Sequence, residues 1–201
     1  MKISNKLPKY NQSLHSELIK NEWVPLKEPR NLISTFLLSI PLMIINGIFS
    51  IGILNIFSNV SLKDFGIYPN SVSFTINLEI ILFTILLVIF HEFLHLIFIP
   101  NFIKSKNTII GIHWLGGFVA TEEKIQKSRF ILVAVAPFVI ISVVLTIILG
   151  VCGLLNSTLK SLVILNSLAS SVDILLFLLI ITQVPKNGLL ISNGNKTYWK
   201  S

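Results

Sequence analysis

Charged residues are scarce in this chain. Lys, Arg, Asp and Glu make up 12% of its 201 residues, against about 25% in a typical soluble domain. Hydrophobic residues make up 53%, and the mean hydropathy is +0.80. This balance excludes an ordinary soluble enzyme and points to a multi-span membrane protein. The length allows one compact domain and no large second one. Acidic residues are scarcer still, with 9 against 16 basic ones and a net charge of +7. A basic balance can signal nucleic acid. In a membrane protein, basic loops mainly set orientation, so no nucleic-acid partner is expected. Cysteine is represented by Cys152 alone, which excludes an intrachain disulfide and a zinc–thiolate cluster. Internal repeats and low-complexity tracts are absent. A cleavable signal peptide is not expected either: the first ~30 residues are polar and mixed in charge, without a short apolar core and a small-residue cleavage site. The first apolar run is expected to act as an uncleaved anchor.

What is present is long apolar runs. A helical span needs about 20 apolar residues, and four segments qualify. They run roughly from Leu32 to Val60, from Ile76 to Pro100, from Phe130 to Leu155 and from Leu159 to Val184. Pro41 and Gly47 interrupt the first, Pro137 lies inside the third, and Pro185 ends the fourth. The expected organisation is a cytosolic N-terminal segment over 1–31, a four-span membrane domain over 32–184 and a cytosolic tail over 185–201. Lys2, Lys6, Lys9, Lys20, Lys27 and Arg30 precede the first span. Lys104, Lys106, Lys124, Lys127 and Arg129 lie between the second and third, and Lys186, Lys196 and Lys200 follow the fourth. The other two loops carry only Lys63 and Lys160. The positive-inside rule then puts both termini and the 101–129 loop in the cytosol. In that loop, Asn107 to Ala120 reads as two β-rich runs around Gly116-Gly117, a small hairpin. The fold class expected is all-α transmembrane, a four-helix membrane bundle with this hairpin between helices 2 and 3.

One motif carries chemistry. His91-Glu92-Phe93-Leu94-His95 reads H-E-x-x-H, a zinc-binding and catalytic signature of metallopeptidases. Four residues apart on a helix, the two imidazoles project from one face and can grip one Zn²⁺. Glu92 stands beside them as general base, taking a proton from the attacking water and later passing it to the leaving amine. The other reading is a set of polar residues lining a helix interface. Ionisable groups within a span are expensive and mark function, which favours the metal. The motif lies about two turns from the cytosolic end of the second span.

A catalytic zinc usually takes a third protein ligand. Asp173 is the candidate, being the only acidic residue inside the fourth span. A lone Asp near a helix centre costs about 2.5–3.5 kcal/mol on insertion scales, which a metal would offset, as would pairing with Ser170 or a buried water. Asn166, Ser170 and Asp173 share one helix face. Asn166 is a candidate to orient substrate or donate to an oxyanion, or to make an interhelical hydrogen bond. The small residues of Asn166 to Ser171 allow the fourth helix to approach the second closely. Phe98 and Asn101 stand where a longer H-E-x-x-H-x-x-G-x-x-H pattern needs Gly and His. Glu122, Glu123 and His113 in the loop are weaker candidates, and His15 and Glu79 have no supporting context.

These residues resemble the site-2 protease group of intramembrane metalloproteases. That resemblance implies zinc held by His91, His95 and Asp173, with Glu92 as base. The second motif of that group commonly has Asn, then Pro, then Asp-Gly. Here Asn166-Ser-Leu-Ala-Ser-Ser-Val-Asp173-Ile has neither the Pro nor the Gly, a departure that bears on substrate positioning more than on metal binding. The chain is also similar to small bacterial membrane proteins classed as zincin peptidases on the same motif. The similarity covers roughly residues 75 to 195, through 91–95, 111–120, 131–137 and 166–185. It implies a zinc-dependent membrane-embedded endopeptidase of the cell membrane, acting on a membrane-protein or peptide substrate near the cytosolic leaflet. The alternative is a non-catalytic metal-binding accessory or immunity-type membrane protein. A transporter is less favoured, since four spans without a repeat give little basis for alternating access.

Overall fold

The computed structural model describes residues 2–4, 8–73, 78–105, 107–113 and 116–201. Four helical segments are long and apolar enough to cross a membrane: Leu32–Phe57, Leu78–Phe98, Lys127–Val151 and Ser157–Gln183. Their outward faces are apolar and open, as at Ile48, Leu82 and Ile148, which suits a lipid environment and not water.

The first span is helix α2, Leu32–Phe57, with α1, Gln12–Lys20, preceding it. Asn31 caps α2 through a reciprocal pair with Ser34, which satisfies two of the donors left free at a helix start. The second span is α3, Leu78–Phe98; residues 74–77, where the sequence pattern began this span, lie outside the described residues. The third span comprises α4, Lys127–Pro137, a π-helical stretch over Phe138–Leu145, and α5, Thr146–Val151. The fourth comprises α6, Ser157–Ala169, and α7, Ser171–Gln183, separated at Ser170.

The expectation of a helical bundle with a hairpin holds in part. The chain is mostly helical, and among the described residues strands form three small sheets. Strand β1, Lys2–Ile3, runs parallel to β5, Thr108–His113, which pairs antiparallel with β6, Gly116–Thr121. A second sheet has the order β2-β9-β8-β7. Its strands are β2, Val24–Pro25, β7, Ile125–Gln126, β8, Leu189–Asn193, and β9, Lys196–Lys200. A two-stranded pair joins β3, Ile67–Tyr68, to β4, Ser71–Val72. The strands of the second sheet are too short, and too far apart in sequence, to register as hairpins along the chain. Only β8 and β9 adjoin, through a turn in which Gly194 takes φ +61°, the backbone that a two-residue hairpin turn demands.

These pairings gather the N-terminal segment, the 101–129 loop and the C-terminal segment at one end of the bundle. Leu18, Trp23, Ile191 and Tyr198 pack together there, with His15 Nδ1 2.7 Å from the Tyr198 hydroxyl. Leu26, Ile99, Ile125, Phe130, Ile180, Val184 and Leu190 form the core that joins this layer to the helices. Glu28 ties the two termini, accepting from the Thr197 N–H at 2.9 Å and hydroxyl at 2.8 Å. Burial pushes its carboxyl up, opposed by those two bonds and by Lys196. At the opposite end, Lys160 donates to the Asn59 carbonyl at 2.7 Å and pairs with Asp64 at 3.3 Å.

Candidate metal centre

α3 supplies His91, Glu92 and His95 from adjacent turns, and α7 supplies Asp173 from its first turn. His91 Nε2 lies 3.4 Å from Asp173 Oδ2, and His95 Nε2 lies 3.5 Å from Asp173 Oδ1. One ligand atom from each residue falls within 4.8 Å of the others. Two ligand atoms about 2.0–2.2 Å from one tetrahedral zinc stand roughly 3.3–3.5 Å apart, and each histidine lies at such a separation from its own carboxylate oxygen of Asp173. The histidine side chains are each 12% exposed and that of Asp173 22%; the cluster is sheltered yet reachable.

The hydrogen bonds fix which imidazole nitrogen faces the carboxylate. His95 Nδ1 is 2.7 Å from the Val133 carbonyl, which can only accept, so Nδ1 carries the proton. His91 Nδ1 is 2.9 Å from Asn166 Oδ1. The amide NH₂ of Asn166 donates to the Pro137 carbonyl at 3.2 Å and to the Ser142 hydroxyl at 2.9 Å. Its oxygen is thereby turned to His91, and His91 Nδ1 must donate. In the neutral ring each Nε2 lone pair is then left for a ligand, the arrangement typical of metal-binding histidines. The donor set of two neutral imidazoles and one carboxylate suits Zn²⁺.

Asn166, Asp173 and the two histidines thus meet, while the side chain of Asn166 is 1% exposed and fully engaged by its three partners. Asp173 faces the histidines and not Ser170, whose buried hydroxyl has no hydrogen-bond partner among the described residues. Glu123 accepts from Ser105 at 2.6 Å, and Glu79 is exposed at the far end of α3. The side chain of His113 lies outside the described residues.

Glu92 is set by a strand. A Cβ placed on Gly117 would come within 2.3 Å of Glu92 Cγ and 3.0 Å of its Oε1, so β6 runs directly over this side chain. The glycine pair expected at the hairpin turn instead opens β6; residues 114 and 115, which connect the strands, lie outside the described residues. A glycine inside a strand marks a close approach, and that is the role of Gly117. The Glu122 N–H bonds to the Asn107 carbonyl, which sets the alternation of the β5–β6 ladder. Gly117 and Val119 then direct their backbone N–H and C=O groups away from β5. β6 is the edge of its sheet. It lines, with His91, Glu92, His95 and Asp173, an open cavity of about 760 Å³ that extends from Thr84 and Val172 within the spans to Glu28 and Thr197 in the terminal layer.

Residues 84–189 match the family model described as "Putative zincin peptidase". The chain belongs to this family. The match spans α3 through β8 and so includes every residue of the cluster. Membership points to a metallopeptidase that works with a metal. Searches of curated proteins and of solved structures return no match. Sequence reasoning missed the Val133 carbonyl, Ser142 and the contact of Gly117 with Glu92. Backbone groups leave no sequence signal; Pro137 and Gly117 were the available hints.

Proposed function

We propose that this zincin-family protein is a zinc-dependent membrane-embedded endopeptidase that hydrolyses peptide bonds within or next to the bilayer, near the cytosolic leaflet. The observation that carries the reading is Glu92 beside the His91, His95 and Asp173 cluster, in a cavity lined by the edge strand β6. His91 and His95 would bind Zn²⁺ through Nε2 and Asp173 through its carboxylate. When bound, zinc supplies Lewis acidity for polarising the peptide carbonyl and activating water. Glu92 takes the proton of the attacking water and returns it to the departing amine, so its carboxylate ends the cycle as it began. Asn166 holds His91 and is a positioning residue, with no amide group left over for substrate.

The substrate would lie extended along β6, bonding to the outward N–H and C=O groups of Gly117 and Val119. A membrane helix keeps its carbonyls bonded internally, so the substrate must carry a helix-weakening segment at the level of the site. The cytosolic placement rests on the positive-inside rule, and the gathering of the basic segments at one end supports it.

The test uses detergent-purified protein with zinc and membrane proteins that accumulate in cells lacking it. Wild type cleaves one of them with about one zinc per chain. Glu92→Gln keeps zinc and loses cleavage, by about a hundredfold or more. Asp173→Ala loses both. Cleavage by Glu92→Gln at the wild-type rate would reject the catalytic role and leave a metal-binding accessory protein.

A further inference from the structure

Proline cannot donate a backbone hydrogen bond, so the carbonyl four residues before it in a helix goes without its usual partner. In α4 that carbonyl belongs to Val133, and Pro137 is the proline. The next N–H in the chain, that of Phe138, goes to Val135 instead. A buried carbonyl without a donor is costly, and the donor here comes from another helix: His95 Nδ1 at 2.7 Å. Pro137 also acts on the second histidine. Its own carbonyl, with the Ser142 hydroxyl of the π-helical stretch that follows, holds the Asn166 amide, whose oxygen faces His91. Stretches of π-helix accompany functional sites, and this one begins at residue 138.

We propose that Pro137 is a positioning residue of the metal centre: it leaves the Val133 carbonyl to orient His95, and with Ser142 it anchors the Asn166 that orients His91. One proline-containing segment of the third span, which is outside the His91, His95 and Asp173 cluster, thus fixes both histidines on the second. The inference rests on the metal-binding reading above. Outer partners of this kind change metal affinity by about 10–100-fold when removed. Pro137→Ala restores an N–H that competes for the Val133 carbonyl, and alanine is the better helix former, so the span should persist.

The test measures zinc affinity by competition with a chromophoric chelator, and the Co²⁺ absorption spectrum, on full-length protein in detergent. The expected result is zinc binding about 10–100-fold weaker in Pro137→Ala, with altered Co²⁺ bands and unchanged helix content. Pro41→Ala, in the proline-containing first span, should bind as wild type does. If Pro137→Ala misfolds, Ser142→Ala decides, with about tenfold weaker binding expected. Wild-type affinity and spectrum in a folded Pro137→Ala would overturn the proposal, as would unchanged binding by Ser142→Ala in the second case. An equal loss in Pro41→Ala would also overturn it, since any straightened span would then suffice. Absence of zinc binding in wild type itself would instead remove the metal reading.

Discussion

Glu92 lies where it does because residue 117 has no side chain. Alanine at 117 puts a methyl carbon 2.3 Å from Glu92 Cγ, and either the carboxylate or β6 must yield. The three atoms nearest that carbon all belong to Glu92, so metal binding and catalysis should separate. Gly117→Ala is expected to retain zinc within about twofold while kcat falls about tenfold to a hundredfold, a loss in line with a displaced general base. Steady-state kinetics with parallel metal analysis reads this; a loss of zinc instead would mean that β6 supports the ligands too. At this scale the sequence was partly legible. His91, Glu92, His95 and Asp173 could be picked out because charge and imidazole are conspicuous in apolar spans. The partners on their far side are backbone carbonyls, which every residue has, and only folding selects Val133 and Pro137.

The helices are joined by polar atoms as well as by shape. Ser50 donates to the Ser167 hydroxyl at 2.8 Å, and Ser167 donates to the Asn46 carbonyl at 2.8 Å. Asn46 returns a bond to the Ser167 carbonyl at 3.3 Å. Gly47 lies between them, and a Cβ there would stand 3.3 Å from Leu168 Cδ2. Small and polar residues thus let α2 and α6 approach closely, and α6 carries Asn166. Ser50→Ala should destabilise the protein by about 0.6 kcal/mol, the average for an interhelical bond in a membrane protein, as measured by unfolding in mixed micelles. A stabilising effect would show that this contact holds no net energy. The four spans were legible as elements, each within several residues of its observed ends. The break at Ser170 and the π-helical stretch were not, because hydropathy reports only length and polarity.

Across the whole molecule, the two ends of the bundle are closed differently. One is covered by the joined termini and the hairpin; the other is tied by Asp64, Ser157 and Lys160. The Ser157 hydroxyl, then the Ser61 N–H and Lys160, hold the Asp64 carboxyl down from 3.8 to about 2. A depressed carboxyl adds stability above its unfolded value, and that stability drains away as pH falls through the folded one. Wild type should therefore lose stability between pH 3.8 and about 2. Asp64→Asn should be weaker at neutral pH and flatter over that window, so the two curves converge in acid. Thermal midpoints against pH test this, and parallel curves would count against it.

Four helices long and apolar enough to cross a membrane, a hairpin, and His91, Glu92, His95 and Asp173 as candidate site residues were legible in the sequence. Each leaves a local or compositional mark: hydropathy over about 20 residues, a four-residue spacing on one helix, an acid in an apolar run where its charge is costly. The remainder arose only on packing. Packing brought Asp173 within 3.5 Å of His91 and His95, about eighty positions earlier. It joined strands from both termini into one sheet and turned Gly117 from an expected turn residue into a strand over Glu92. It also gave two carbonyls of a proline-containing helix the task of orienting the site. These depend on which surfaces meet, and backbone groups acquire partners only when the helices have packed.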